Sequence, residues 1–351
     1  MIDVADALIY DGKGQCEIKE KAYSNAILSL GKKYANVVCI TADMTYLLEV
    51  KPFQESFPER TFNVGMAEQN MIGVASGLAQ AGEVVFTHTF CCFTTRRCLD
   101  QIVNAVAYPK RNVKIVGVMP GITSNGGPSH QAIDDLAILR SIPNMTILDL
   151  GDTTETAQAV EVAYQTEGPV YIRMRRAMQP VLFDPDKYQL EIQQSYLLRR
   201  GMDACIISSG LMTKRALEAA AILEANGVDV AVLHIPCIKP IDVEGLLEIS
   251  SQCRAIVTLD NHNIIGGLGT AVGEVLLDYG IRVPFHRIGI PDRFGVAAAE
   301  SYLANLFGLE PQQIADTVTW VLEGKKGAYA VTATNTQKET EKGGWEDDWR
   351  N

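Results

Sequence analysis

Short runs of apolar, mostly β-branched residues recur along the chain, and segments of helical periodicity separate most of them. Such runs, without alternating polar positions, are typical of strands buried on both faces. They cover residues 36–43, 113–119, 145–150, 170–174, 204–209, 229–235, 255–260 and 283–290. Helical periodicity covers 154–168, 214–227 and 269–280, and each segment ends in the glycine expected just beyond a helix C-terminus. The pattern predicts an α/β fold class with two doubly wound, mostly parallel sheets.

The alternation stops between residues 175 and 201, where prolines and polar residues are frequent. Such a break is typical of a link between domains, and 351 residues are many for one hydrophobic core. We predict a first domain over residues 1–185, a linker over 186–200, a second domain over 201–327 and a polar tail over 328–351. Trp345 and Trp349 leave two interpretations of the tail open, a mobile end or a docking segment.

Charge and cysteine usage narrow the possible partners. A net charge of −11 repels phosphate backbones and anionic membranes, which argues against nucleic acid and lipid as partners.

The N-terminus lacks the pattern of a secretory leader, and no apolar run is long enough to cross a bilayer, so we expect a cytoplasmic protein. Eight scattered cysteines without a CxxC pair predict reduced core thiols rather than a zinc site.

Three segments carry candidate chemistry. In residues 61–82 a strand-like start leads into a helix and places Glu68 in its first turn, where stabilisation by the helix dipole is the alternative to a function. Phe90 and Phe93 share one helical face, an arrangement that also fits core packing. The glycine-rich loop 120–135 contains His130, and by itself it is compatible with an ordinary turn.

Five runs, in order, resemble the transketolase family: FNVGMAEQNMIGVASGLA, FTHTFCCF, GPSHQ, LRSIPNMTIL and GPVYIRMRR. They correspond to the pyrimidine-binding domain and the C-terminal domain of that family, and the resemblance covers nearly the whole chain apart from the tail. It implies thiamine diphosphate as the cofactor and transfer of a two-carbon ketol unit from a ketose to an aldose as the reaction. In such an enzyme the cofactor is the electron sink, and the protein positions and tunes it.

The resemblance implies a role for Glu68, the carboxylate that contacts N1′ of the cofactor's aminopyrimidine and so helps the cofactor to lose its C2 proton. It also implies that Phe90 and Phe93 stack on this ring and that Asp43 lines the cofactor cleft. These four residues are the expected cofactor-binding set.

For the substrate, the resemblance makes His130 a catalytic histidine beside the sugar hydroxyls. It makes Arg176 the arginine that holds the terminal phosphate, with a surface ion pair as the alternative. His88 lies in the same segment as the aromatic pair and is expected near the reacting centre, with a hydrogen-bonded structural histidine as the alternative.

A GDG motif with a downstream asparagine, which in this family binds the diphosphate and Mg²⁺, is not found in the sequence. We therefore predict that the metal is held mainly by a partner, that is, by an N-terminal-half subunit with which this chain forms an α2β2 assembly. The chain by itself is expected to bind cofactor poorly and to catalyse nothing.

Three departures from the family pattern concern the substrate. Glu20 stands where a phosphate-binding arginine is usual, residues 124–127 lack a sugar-binding aspartate, and Arg96 stands near the place of a third aromatic residue. A modified sugar or another anionic tail is therefore an alternative to an ordinary sugar phosphate. A β subunit of a 2-oxo-acid dehydrogenase and a catalytically silent assembly subunit are alternative functions. A nicotinamide-binding protein is disfavoured, because the glycines of 266–274 depart from the GxGxxG spacing.

Overall fold

The structure is a computed structural model, and it describes residues 1–324. Two sheets organise this part of the chain. The first has seven strands in the order β13-β7-β8-β6-β5-β3-β4, all parallel except β13. Its strands are β3 (Val37–Thr41), β4 (Thr61–Asn63), β5 (Val84–Phe90), β6 (Val113–Val118), β7 (Thr146–Asp149), β8 (Val170–Met174) and β13 (Cys237–Lys239).

The second sheet has six strands in the order β1-β10-β12-β11-β14-β15, and only the β10–β12 pairing is antiparallel. Its strands are β1 (Ile2–Asp3), β10 (Tyr196–Arg199), β11 (Ala204–Ser208), β12 (Val230–His234), β14 (Ile256–Asn263) and β15 (Phe285–Ile290). A small separate ribbon pairs β2 (Ile18–Lys19) with β9 (Gln179–Pro180). Each of the eight apolar runs forms a strand, and the predicted α/β class with mostly parallel sheets is confirmed.

Helices cover both faces of the sheets. They are α1 (Ala22–Lys33), α2 (Lys51–Ser56), α3 (Glu68–Gln80), α4 (Cys91–Arg96), α5 (Leu99–Gln101), α6 (Asp135–Arg140), α7 (Thr153–Gln165), α8 (Met212–Ala225), α9 (Val243–Gln252), α10 (Leu268–Asp278), α11 (Glu300–Leu306) and α12 (Pro311–Leu322). A π-helix (Ile102–Ala107) follows α5, and short 3₁₀ turns include Ala5–Ala7, Pro58–Arg60 and Gly121–Thr123. Gly227 and Gly280 have the positive φ that ends a helix, as their positions predict.

The pleat of β3 shows why its whole run is apolar. Val37 and Cys39 belong to the hydrophobic core shared with α1 and α7, whereas Val38 and Ile40 belong to the core shared with α3. Successive side chains of a strand point to opposite faces, so a strand covered on both faces needs an apolar residue at every position. This is the pattern that the sequence displays.

The two sheets exchange short strands. Ile2–Asp3 pairs with the second sheet, and Cys237–Lys239 pairs with the first. Part of the predicted linker is also regular structure, because Tyr196–Arg199 forms β10. The domain limits at residues 185 and 200 stay a prediction, and the predicted tail 328–351 lies outside the described residues.

A buried cation connects the two sheets. Arg173 in β8 donates to Asp135 Oδ2 at 2.7 Å and to Asp149 Oδ1 at 3.1 Å, and both carboxylates come from the first half of the chain. It also donates to the main-chain oxygen of Asn261 in β14 of the second sheet, at 2.8 Å. Burial acts to raise the pKa of Asp135, but attraction to Arg173 and His262, together with hydrogen bonds from Arg173 and Tyr171, lowers it by more, so the net shift is downward.

Candidate active site

The carboxyl ends of five adjacent parallel strands, β8, β6, β5, β3 and β4, meet at one edge of the first sheet. Ligands of open α/β sheets bind in crevices at such edges. Six of the seven predicted site residues belong to these strand ends or to the segments that follow them. Phe90 ends β5, and the other five lie between two and twelve residues beyond a strand: Asp43, Glu68, Phe93, His130 and Arg176. The topology therefore gathers residues that are far apart in sequence.

Glu68 is the first residue of α3, and only 6% of it is exposed. Its Oε1 accepts a hydrogen bond from Nη1 of Arg97 at 2.7 Å. The helix N-terminus adds a favourable dipole. The two interpretations from sequence are thus both compatible with its position, since the carboxylate lies at a helix N-terminus and also faces a cationic partner.

Phe90 ends β5 and Phe93 lies one turn later in α4, with ring centroids 5.6 Å apart. The guanidinium carbon of Arg97 lies 3.9 Å from the centroid of Phe93. This guanidinium therefore contacts the ring of Phe93 and the carboxylate of Glu68 at the same time. Aromatic faces attract planar cations in this way.

His130 completes the cluster. Its ring lies edge-on to Phe93 at 5.2 Å and to Phe90 at 6.1 Å between centroids, and its Nδ1 is 2.9 Å from Oγ of Ser129. The imidazole is partly exposed and reachable from solvent. The glycine-rich loop thus places the imidazole of His130 against the rings of Phe90 and Phe93.

Arg96 fixes this loop from α4. Its guanidinium binds both carboxylate oxygens of Asp134 at 2.8–3.1 Å and donates to the main-chain oxygen of Gln131 at 3.0 Å. A weaker bond at 3.4 Å reaches the carbonyl of Pro128. These partners lie on both sides of His130 in the sequence. Arg96, which stands near the place of a third aromatic residue in the family pattern, therefore positions the loop that carries His130.

The second sheet holds the beginning of the same loop. The side chain of Asn261 donates to the carbonyl of Pro120 at 3.1 Å and accepts from the amide of Ile122 at 3.0 Å. Gly121 has φ +52°, and an added Cβ would lie 2.2 Å from Oδ1 of Asn261. Gln131 donates to the carbonyl of Val296 at 3.0 Å and adds a second contact between the halves. The second half of the chain therefore shapes the loop that carries His130.

Asp43 and Arg176 lie at the same sheet edge, outside the aromatic cluster. Asp43 is exposed, with φ +60°, and its side chain accepts a hydrogen bond from Asn63 at 3.1 Å. Arg176 is partly exposed and forms no ion pair within residues 1–324, whereas the neighbouring Arg175 is 2.9 Å from Glu300. Arg176 is thus available to an anion, although its role stays a prediction.

His88 lies inside the first sheet, and 1% of it is exposed. Its Nε2 is 2.6 Å from the hydroxyl of Tyr23, and its Nδ1 is 3.1 Å from the carbonyl of Ile40. Burial lowers its pKa to about 4. Both ring nitrogens have partners inside the protein, so the geometry favours the structural interpretation over contact with a substrate.

Arg97 and Asn261 were not among the predicted site residues. Arg97 follows Phe93 by four residues, a spacing that brings side chains together on a helix and could have drawn attention to it. Asn261 offers no such pattern, because its hydrogen-bond partners lie 139 and 141 residues away in sequence. Long-range contacts of this kind do not appear in local periodicity.

The groups of the cluster suit one part of the expected cofactor. Glu68 and Phe93 together hold a flat cation with N–H donors, and an aminopyrimidine offers the same shape and polarity. The site therefore fits the pyrimidine end of thiamine diphosphate. Nowhere in residues 1–324 do three His, Cys, Asp or Glu side chains lie close enough together to hold a metal ion. In this part of the chain, no helix is long and apolar enough to cross a membrane.

Comparison with known families agrees with this geometry. Residues 19–180 match the family described as "Transketolase, pyrimidine binding domain", and residues 193–314 match "Transketolase, C-terminal domain". A transketolase family protein of Sinorhizobium fredii is 41% identical over 294 residues, which cover 83% of this chain and 85% of that protein. The chain belongs to the transketolase family. The resemblance seen in its motifs is confirmed.

Two further similarities concern transketolases made of separate subunits. The 6-deoxy-6-sulfo-D-fructose transketolase subunit SqwH of a Clostridium species is 38% identical over 305 residues, covering 86% of this chain and 94% of that subunit. A solved structure described as "Split gene transketolase, inactive beta4 tetramer" has a TM-score of 0.80 and 39% identity, covering 86% of this chain and 97% of that one. This chain is thus similar to subunits of split transketolases over nearly their whole length.

Proposed function

We propose that this chain is the pyrimidine-binding subunit of a thiamine-diphosphate-dependent transketolase, which transfers a two-carbon ketol unit from a ketose with an anionic tail to an aldose. The observation that supports it most is the cluster at the sheet edge, where Arg97 contacts both Glu68 and Phe93, and the ring of His130 lies edge-on to Phe93. A carboxylate, an aromatic face and an imidazole are the groups that this chemistry requires from the protein.

The residues of the cluster have separate tasks in this proposal. Thiamine diphosphate, when bound, supplies the electron sink that makes cleavage of the carbon–carbon bond feasible. Glu68 holds a proton at N1′ of the pyrimidine from a site that is almost closed to water. Phe90 and Phe93 support the ring, and their edge-on contacts with the imidazole keep His130 beside it.

His130 accepts and returns protons at the sugar hydroxyls, a task suited to a partly exposed imidazole. Arg96 and Asn261 are positioning residues, because they hold the loop of His130 without facing the reacting atoms. Arg176 binds the anionic end of the sugar with its planar guanidinium. The sulfonated sugar in the name of the Clostridium relative supports including a sulfonate, as well as a phosphate, in this substrate class.

The diphosphate and Mg²⁺ are assigned to a partner subunit, so the active assembly is an α2β2 heterotetramer. This part of the proposal is supported by the relatives that match over nearly their whole length, because they include a subunit and a split-gene product. The inactive state named for the β4 structure is compatible with a chain that requires a partner.

The test is a coupled ketol-transfer assay on this chain co-expressed with its N-terminal-half partner, with thiamine diphosphate and Mg²⁺. The donors compared are one ketose with a phosphate tail, one with a sulfonate tail and one without charge. We expect transfer only with both chains present, and with a much lower KM for the anionic donors than for the uncharged one.

Glu68→Ala should abolish transfer, and Glu55→Ala is the matched control. Glu55 lies in the same half of the chain but pairs with Lys51 on the surface. Transfer that persists in Glu68→Ala, or consumption of 2-oxo acids in place of ketol transfer, would contradict the proposal. The second result would favour the dehydrogenase-subunit alternative.

A further inference from the structure

We propose that Arg97 is an internal competitor of the cofactor: in the cofactor-free chain its guanidinium occupies the place of the aminopyrimidine, and the ring must displace it to bind. This inference rests on the proposed function, because it assumes that a pyrimidine binds between Glu68 and Phe93. It adds a residue that controls cofactor affinity.

The first argument is that one group fills both surfaces that the pyrimidine requires. Arg97 donates to Glu68 Oε1 at 2.7 Å and lies over the ring of Phe93 at 3.9 Å. A guanidinium and an aminopyrimidine are both flat, both carry N–H donors, and both stack on aromatic rings. Since two planar groups cannot share one face of Phe93 and one carboxylate oxygen, their binding is mutually exclusive.

The second argument is that Glu68 needs a cationic partner when no ligand is bound. Its side chain is only 7% exposed, and burial of an unpaired carboxylate is costly. Arg97 provides the opposite charge. Cofactor entry therefore replaces one planar hydrogen-bond donor by another and leaves the carboxylate with a partner throughout.

The third argument is that Arg97 is free to leave. Its side chain is 51% exposed, and the residue lies between the end of α4 at Arg96 and the start of α5 at Leu99. Rotation of the side chain toward solvent needs no movement of a strand or a long helix. Arg96 differs, because it binds both carboxylate oxygens of Asp134 and two loop carbonyls. Of the two adjacent arginines, Arg96 is fixed and Arg97 can be displaced.

The experiment measures binding of thiamine, which carries the pyrimidine but no diphosphate, to the full chain by titration calorimetry and ligand-observed NMR. Arg97→Ala should bind thiamine roughly tenfold more tightly than the wild type, a change of ~1.4 kcal/mol. Arg97→Lys keeps the charge without the planar stack, and it should lie between the two. Arg254→Ala is the control, because it removes an exposed arginine that is 3.1 Å from Asp203 in the second half of the chain.

A competition experiment separates displacement from a general structural effect. Methylguanidinium at low millimolar concentration should weaken thiamine binding to Arg97→Ala, because it refills the vacated place, and should affect the wild type much less. A structural role of Arg97 would not produce this difference between the variants.

The outcomes distinguish the two proposals. Equal or weaker thiamine binding by Arg97→Ala, with binding lost in Glu68→Ala, would overturn the role of Arg97 and leave the proposed function intact. Failure of every variant to bind thiamine would also overturn the role of Arg97. The proposed function would then depend on the ketol-transfer assay with the partner subunit, which does not involve Arg97.

Discussion

Replacing Arg173 by methionine should lower the free energy of unfolding by about 3–5 kcal/mol at pH 7, the usual cost of removing one partner from a buried ion pair. The side chain of Arg173 is 1% exposed, and those of Asp135 and Asp149 are 0% and 2% exposed. Methionine fills much of the volume but leaves two carboxylates without their cation. The carbonyl of Asn261 also loses its donor.

The pH dependence provides an independent check of this reasoning. In the wild type the pKa of Asp135 is lowered overall, so its contribution is present above the unfolded-state pKa of ~3.9 and is lost as pH falls through the folded-state pKa. In Arg173→Met the attraction of Arg173 no longer opposes burial, so the pKa of Asp135 should be higher than in the wild type. The difference between the two proteins should therefore be largest near neutrality and should decrease toward about pH 4.

The assay is urea unfolding followed by far-ultraviolet circular dichroism at a series of pH values. Arg254→Ala is the matched control: its ion pair has the same 3.1 Å distance as Arg173–Asp149, but the arginine side chain is 71% exposed. We expect the control to lose no more than ~1 kcal/mol. Adding Asp135→Asn and Asp149→Asn to Arg173→Met should recover part of the loss. A loss below ~1 kcal/mol at pH 7, or one that does not change with pH, would refute the reasoning.

Three further predictions concern the site. Arg96→Gln should raise the KM for the ketose roughly tenfold with unchanged cofactor affinity, because the His130 loop loses its hydrogen bonds to this guanidinium. Steady-state kinetics on the assembled enzyme measures the KM, and calorimetry measures the cofactor affinity. Arg176→Ala should raise the KM for an anionic ketose about 10- to 100-fold but leave an uncharged ketose unaffected, and equal effects on both donors would contradict its role. Burial lowers the pKa of His88 from 6.5 to about 4, so the folded chain should lose about 3 kcal/mol as pH falls across this range. Urea unfolding of His88→Gln should lack that loss.

The fold could be predicted to a large extent from local patterns. Each of the eight apolar runs is a strand, and the three periodic segments correspond to α7, α8 and α10. These elements were recognisable because burial on two faces leaves a continuous apolar run, and burial on one face leaves helical periodicity. The strand exchange by Ile2–Asp3 and Cys237–Lys239 had no such mark, since two or three residues show no period.

The candidate site was predictable in its members but not in their contacts. Glu68, Phe90, Phe93 and His130 were named from motifs, and the structure brings the four together. His88 came from the same segment, yet its side chain lies in the sheet interior against Tyr23. His88 and Phe90 point to the same face of β5, but Phe90 is the last residue of the strand and His88 lies two residues before its end, inside the sheet. Membership in a motif therefore does not determine whether a side chain lies at the sheet edge or in the interior.

By itself, the sequence determined the fold class, the family and most of the groups gathered at the sheet edge, because burial pattern and residue type are local properties. Only the tertiary structure decided which partners these groups have. Arg96 holds the His130 loop and Arg97 contacts Glu68, although the two arginines are adjacent. Asn261 reaches the same loop from 139 residues away. A hydrogen bond depends on distances of a few tenths of an ångström, and the packing of both sheets sets these distances.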